Sequence, residues 1–136
     1  MTEILHKELS ESILKVFYEV YNELGHGFLE KVYQKAMYLE LRSQGFKVEP
    51  QRQIKVYYKN ELVGDFFADL LINDVIILEL KACDSLVKAH FVQTLNYLKA
   101  TNIEIGLLLN FGEKPEIKRL IFYKQQKKLK NLYKSV

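Results

Sequence analysis

Glu79 and Lys81 stand two residues apart in Val75-Ile76-Ile77-Leu78-Glu79-Leu80-Lys81, an apolar run that otherwise reads as a buried central strand. Side chains of a strand alternate between faces, so the carboxylate and the ammonium project to one side and Ile76, Leu78 and Leu80 to the other. A buried charge is costly unless it is paired or coordinates a metal. Ten residues before Glu79, the run Phe66-Phe67-Ala68-Asp69-Leu70-Leu71-Ile72 carries a second acid. The turn formers Asn73-Asp74 lie between the two runs and make them a hairpin with one acid on each strand. Two carboxylates facing each other across such a hairpin, with Cβ atoms roughly 4.5–5.5 Å apart, can share one hard cation. Mg²⁺ or Mn²⁺ suits such oxygen ligands. A bound ion would polarise a phosphoryl oxygen and lower the pKa of a water, with Lys81 orienting that water or stabilising negative charge. The competing reading is a Glu79–Lys81 pair on an exposed sheet face.

This chemistry depends on register. A two-residue turn at Asn73-Asp74 pairs Ile72 with Val75 and sends Asp69 to the face opposite Glu79. A three-residue loop at Asn73-Asp74-Val75, or a bulge, pairs Asp69 with Glu79 instead. The metal-site reading therefore predicts the odd-numbered loop or the bulge.

The elements that position these residues follow from periodicity. Leu9, Ile13, Val16, Phe17, Val20 and Leu24 recur at helical spacing up to Gly25, and a second helix is expected from near Gly27 through Leu29, Val32, Ala36 and Leu39 to about Ser43. Ile54, Val56 and Tyr58 alternate with polar neighbours as a half-exposed strand that turns near Asn60 into the Asp69 strand. After the Glu79 strand, Asp84 or Ser85 is a candidate cap for a helix reaching about Ala100, with Leu86, Phe91, Leu95 and Leu98 inward. Ile103 to Phe111 reads as a buried strand and Ile117 to Tyr123 as the last, with a short C-terminal helix as an option. The order ααβββαββ implies an α/β (mixed α+β) fold in which a mixed central sheet is flanked by helices and the third helix joins a parallel strand pair. Glu30 and Tyr33 share one helical face, as do His90, Gln93 and Tyr97. His90 is a candidate general acid by its near-neutral ordinary pKa, against the plainer reading of a surface histidine.

Asp69 followed by Glu79-Leu80-Lys81 resembles the core of the PD-(D/E)xK nuclease superfamily, with Ala68 in place of proline before the first acid. Within it, Gly27-Phe28-Leu29-Glu30-Lys31-Val32-Tyr33 is similar to the signature of the GxxExxY proteins. The likeness continues through Leu24-Gly25-His26-Gly27, Ala68-Asp69-Leu70-Leu71, the Gln93-Thr94-Leu95-Asn96-Tyr97-Leu98 helix and Leu107-Leu108-Leu109-Asn110-Phe111-Gly112, about residues 10 to 122. It implies a restriction-endonuclease-like core and phosphodiester hydrolysis of nucleic acid. It also implies the backbone carbonyl of Leu80 as a further metal ligand, Glu30 as an additional ligand or water-holding carboxylate, Tyr33 as a hydrogen-bonding support, and Gln93 as a group that positions phosphate or water. The plainer readings are a first-turn acid for Glu30 and a core aromatic for Tyr33.

The 136 residues suit one domain, 1–136, with a basic tail from about residue 124. No run approaches the ~18 apolar residues of a membrane span, and the N-terminus has no signal-peptide pattern. With a single cysteine, Cys83, this points to the cytoplasm. The net charge of +3 belongs to the tail: seven basic residues and no acid follow Ile117, leaving 13 basic and 17 acidic side chains in the body. Lys118, Arg119, Lys124, Lys127 and Lys128 are candidates to track a phosphate backbone, against a solvated helix with Leu129, Leu132 and Tyr133 as a docking stripe. The expectation is a metal-dependent nuclease, acting on nucleic acid as a homodimer or with a protein partner that adds binding surface. Its rivals are a nucleic-acid- or protein-binding module without catalysis on the same scaffold, and a purely structural dimer module.

Overall fold

The computed structural model describes residues 5–124. Helix α1, Lys7–Leu24, buries Ile13, Val16, Phe17 and Val20 along one stripe and ends where Gly25 turns to φ +68°. Helix α2, Glu30–Ser43, starts later than its apolar pattern suggests, because Leu29 is still extended, with φ −69° and ψ 154°. Its buried residues are Tyr33, Met37 and Leu41, whereas Leu29 and Leu39 are 70% and 53% exposed. The expected inward face was thus displaced. Tyr33 stacks on Phe111 with ring centroids 4.2 Å apart, and that contact sets which stripe of α2 meets the sheet.

Strands β1 (Val48–Tyr58), β2 (Glu61–Ile72), β3 (Ile76–Lys81), β4 (Ile105–Phe111) and β5 (Pro115–Ile121) form one sheet in sequence order. β3 and β4 are parallel and joined through helix α3, Lys88–Lys99, while the other neighbours pair antiparallel. The order ααβββαββ and the mixed sheet are as expected from the sequence. β1 begins six residues before Ile54 and passes through Pro50, tolerated because β1 lies at the sheet edge. β5 begins two residues earlier than expected, with Phe111 opposite Pro115.

Each face of the sheet carries its own apolar cluster. Ile76, Leu78 and Leu80 pack with Leu70, Ile72, Leu107 and Leu109 under α1 and α2. Ile77, Leu71, Ala68 and Ile54 pack with Tyr97 and Leu98 of α3. Full burial of one such large side chain contributes roughly 1.5–3 kcal/mol, enough to make a one-residue slip of β3 prohibitive. Among the described residues no helix is long and apolar enough to cross a membrane. The optional C-terminal helix, the Leu129/Leu132/Tyr133 stripe, Lys127 and Lys128 lie outside the described residues.

Candidate active site

The β2–β3 connection meets the register condition. Asn73 and Asp74 adopt φ +50° and +61°, and the Val75 N–H donates to the Ile72 carbonyl at 3.0 Å. Val75 is then inserted as a third loop residue, so that Ile72 pairs with Ile76, Leu71 with Ile77 and Leu70 with Leu78. The next pair in that register is Asp69 and Glu79. There side chains replace the backbone ladder. The Asp69 N–H donates to Glu79 Oε2 at 2.7 Å, and the Leu80 N–H donates to Asp69 Oδ2 at 2.8 Å. Each carboxylate thus holds the opposite strand with one oxygen. The second oxygen of each has no hydrogen bond among the described residues.

A backbone distortion on β1 accompanies this arrangement. Gln51, between the pairs Pro50–Leu70 and Arg52–Ala68, stands opposite Asp69 with φ +52°. Strict alternation would put Ala68 on the face of Leu70, yet Ala68 packs with Leu71 under α3. The alternation is broken at Asp69. Sequence periodicity gave no sign of this, or of Gln51 beside the acid.

Glu79 is 3% exposed. Burial, then the charge of Asp69, pushes its carboxyl up to about 8, against the opposing hydrogen bond from Asp69 and the charge of Lys81. Burial likewise pushes Asp69 up to about 6, against the Leu80 N–H and Lys81. Two facing acids this buried resist ionising together, and the pair retains a proton near neutrality. A divalent cation would remove that resistance, and two free carboxylate oxygens suit a hard ion. Lys81, half-buried on the same strand face, forms no ion pair within 4.0 Å among the described residues.

Other expected site residues are placed differently. Glu30 is exposed at the first residue of α2, and its charge raises both acids. It does not close a cluster: among the described residues no three His, Cys, Asp or Glu side chains form a metal-binding group. Tyr33 is fully buried; its hydroxyl donates to the Gly25 carbonyl at 2.7 Å and accepts from the Phe28 N–H at 3.2 Å. It ties down the loop in which Gly27 takes φ +109°, and so supports the start of α2. His90 acts as a cap: the Val87 N–H donates to its Nδ1 at 3.1 Å. That replaces the expected Asp84 or Ser85 cap. Gln93 donates to the Tyr97 hydroxyl at 3.0 Å. The Tyr97 phenol is raised by burial, then by the charge of Glu79, and also by that of Asp69.

Lys118 and Arg119 do not form one basic patch. Lys118 lies over the Phe91 ring at 5.8 Å, whereas Arg119 donates to the Leu5 carbonyl at the other face. Lys124 is exposed, its N–H bonded to Glu104. The segment after Lys81 is held by residues whose role the sequence reading missed. Buried Asn110 accepts from the Cys83 N–H at 3.0 Å and donates to the Cys83 carbonyl and to Glu116, which also accepts from the Leu86 N–H. A Cβ on Gly112 would collide with the Cys83 carbonyl, which explains glycine after this clamp. Cys83 is half-buried and its thiol is raised by burial, the state of a structural cysteine.

Residues 7–120 match the model of the PD-(D/E)XK nuclease superfamily. No curated protein matches the chain. A solved structure, the crystal structure of SSO0001, is 16% identical with a TM-score of 0.48, over 96% of this chain and 86% of that one, a likeness too distant to bear on function.

Proposed function

Because this chain belongs to the PD-(D/E)XK nuclease superfamily, we propose that it is a metal-dependent nuclease of the GxxExxY kind, hydrolysing phosphodiester bonds at Asp69, Glu79 and Lys81. The reading is carried by the reciprocal seating of Asp69 and Glu79 across the β2–β3 hairpin, each bound to the opposite strand by one oxygen. A structural ion pair has no use for two buried, facing acids whose burial opposes their charge.

Asp69, Glu79 and the Leu80 carbonyl would hold Mg²⁺ or Mn²⁺, with Glu30 at the rim. The ion supplies Lewis-acid polarisation of the phosphoryl group and a more acidic water. Lys81 orients the attacking water or stabilises charge developing on the phosphate. Gln93, steadied by Tyr97, positions the phosphate from α3. Asn110 and Glu116 fix the chain beyond Lys81 and so limit the freedom of its ammonium. A lone structural thiol accords with a reducing, cytoplasmic setting.

The test is hydrolysis of labelled single- and double-stranded DNA and RNA with Mg²⁺ or Mn²⁺. Cleavage should require the cation and disappear in Glu79→Ala and Lys81→Ala. Binding without cleavage under every condition would instead identify a non-catalytic nucleic-acid-binding module on this scaffold.

A further inference from the structure

A groove of about 970 Å³ opens between the β1–β2 ribbon and α3 and takes in Gln93 and Tyr97. Its walls include the aromatic side chains of Tyr57, Phe66 and Tyr97 and the lysines Lys55, Lys88 and Lys99, the last with its ammonium over the Phe122 ring at 5.9 Å. Among the described residues no Asp or Glu lines it, although the chain before residue 117 carries more acids than bases. Phe66 is 45% and Tyr57 59% exposed, an unusual cost in water for two rings on one wall. Phe66 and Tyr97 stand with ring centroids 6.0 Å apart. Tyr97 is also the ring whose hydroxyl accepts from Gln93 and whose phenol the charges of Glu79 and Asp69 raise, so the groove ends on the two residues that face the acid pair electrostatically. On the far side of Asp69, a smaller cavity of about 330 Å³ is lined by Lys31 and Lys35, one turn apart on α2.

We propose that this groove binds a single-stranded polynucleotide, its bases against Phe66 and Tyr57 and its phosphates along Lys55 and Lys88, and delivers the strand across Asp69 and Glu79 toward Lys31 and Lys35. This rests on the nuclease reading of the same acids and names its substrate class. Exposed aromatic rings recognise base faces, which a single strand offers and a duplex hides within its stack. Lysines flanking the rings supply the phosphate attraction that an apolar groove lacks, and their charge disfavours the basic tail of this same chain as occupant.

The test separates binding from cleavage. Fluorescence anisotropy in EDTA measures the affinity of wild type for oligothymidylate, oligouridylate and a duplex of equal length; the first two separate DNA from RNA. Single strands should bind more tightly than the duplex. Phe66→Ala and Tyr57→Ala should each weaken single-strand binding by about 10-fold or more. Lys88→Glu should lessen its salt dependence by about one phosphate contact. Thermal denaturation confirms folding of each variant, and the exposed position of Tyr57 supplies a second variant should Phe66→Ala be destabilised. Unchanged affinity in both ring variants, or preference for the duplex, overturns the proposal. So does a self-associating wild type whose dimer, but not its oligonucleotide binding, is lost with Phe66. Single strands bound yet never cut with Mn²⁺ would uphold the groove and remove the nuclease reading, whereas a duplex cut without single-strand binding would do the reverse.

Discussion

The two hairpins of β2 have nearly the same turn and different consequences. At the β1–β2 end, Lys59 and Asn60 take φ +46° and +68°, and Tyr58 pairs directly with Glu61. At the β2–β3 end, Asn73 and Asp74 take φ +50° and +61°, but Val75 intervenes before Ile72 meets Ile76. Paired left-handed residues are what a tight hairpin turn needs, and both connections supply them. The first joins exposed strand ends, where a bulge between Val56 and Tyr57 absorbs any mismatch. The second joins strands buried on both faces, where a one-residue slip would bury the wrong side chains. Turn chemistry therefore closes both hairpins, but burial sets the register of the second, and that register brings Asp69 to Glu79.

The largest effect should come from breaking the acid pair itself. Asp69→Asn or Glu79→Gln should lower the cleavage rate by roughly 1,000-fold, from loss of several kcal/mol of charge stabilisation, read under single-turnover conditions. The folded chain should persist.

Next is the cost of holding the two acids together. Both carboxyls are raised on folding, so the folded chain binds more protons than the unfolded one between the ordinary carboxylate range and about pH 8. Stability without divalent cations should then fall as pH rises through that window, by on the order of 1 kcal/mol per pH unit where one extra proton is held. Thermal melts in EDTA would show this decline, Glu79→Gln would flatten it, and Mn²⁺ should restore most at high pH. A melt that rises with pH across this range would contradict the burial argument.

Deleting Val75 tests the comparison directly. If burial sets register, the loop contracts to the two-residue turn of the first hairpin, Ile72 still faces Ile76, and cleavage stays within a few-fold. Stability should drop by about 1 kcal/mol, because half-buried Val75 packs against the larger core. Loss of cleavage with the fold intact would show that the turn, and not burial, aligns the acids. The smallest effect belongs to a glycine inserted between Lys59 and Asn60. Chemical denaturation should detect less than about 1 kcal/mol, and Mn²⁺-dependent cleavage should not change.

The site was legible where one physical rule governs it. The alternation of Glu79 and Lys81 against Ile76, Leu78 and Leu80 is a property of any strand. The dependence of the Asp69–Glu79 pairing on a three-residue loop could be derived by counting. Misreadings arose where two rules competed. By residue type His90 is a candidate acid, yet the Val87 N–H at the start of α3 donates to its Nδ1. Leu29 and Leu39 are as apolar as core residues, but the face of α2 is chosen by its largest contacts and not by a tally of leucines. Asn110 and Glu116 look like ordinary polar residues until β4 and β5 bring them under the chain that follows Lys81.

The sequence by itself determined the order of the elements, the parallel pair implied by α3, and the strand face on which Glu79 and Lys81 stand, because periodicity and chain connectivity are local. Only the tertiary structure decided that Asp69 faces Glu79, that its strand breaks alternation opposite Gln51, and that Gln93 pairs with Tyr97 while Glu30 stays exposed. Those outcomes depend on which apolar faces are buried against one another, a free energy shared by segments distant in the chain.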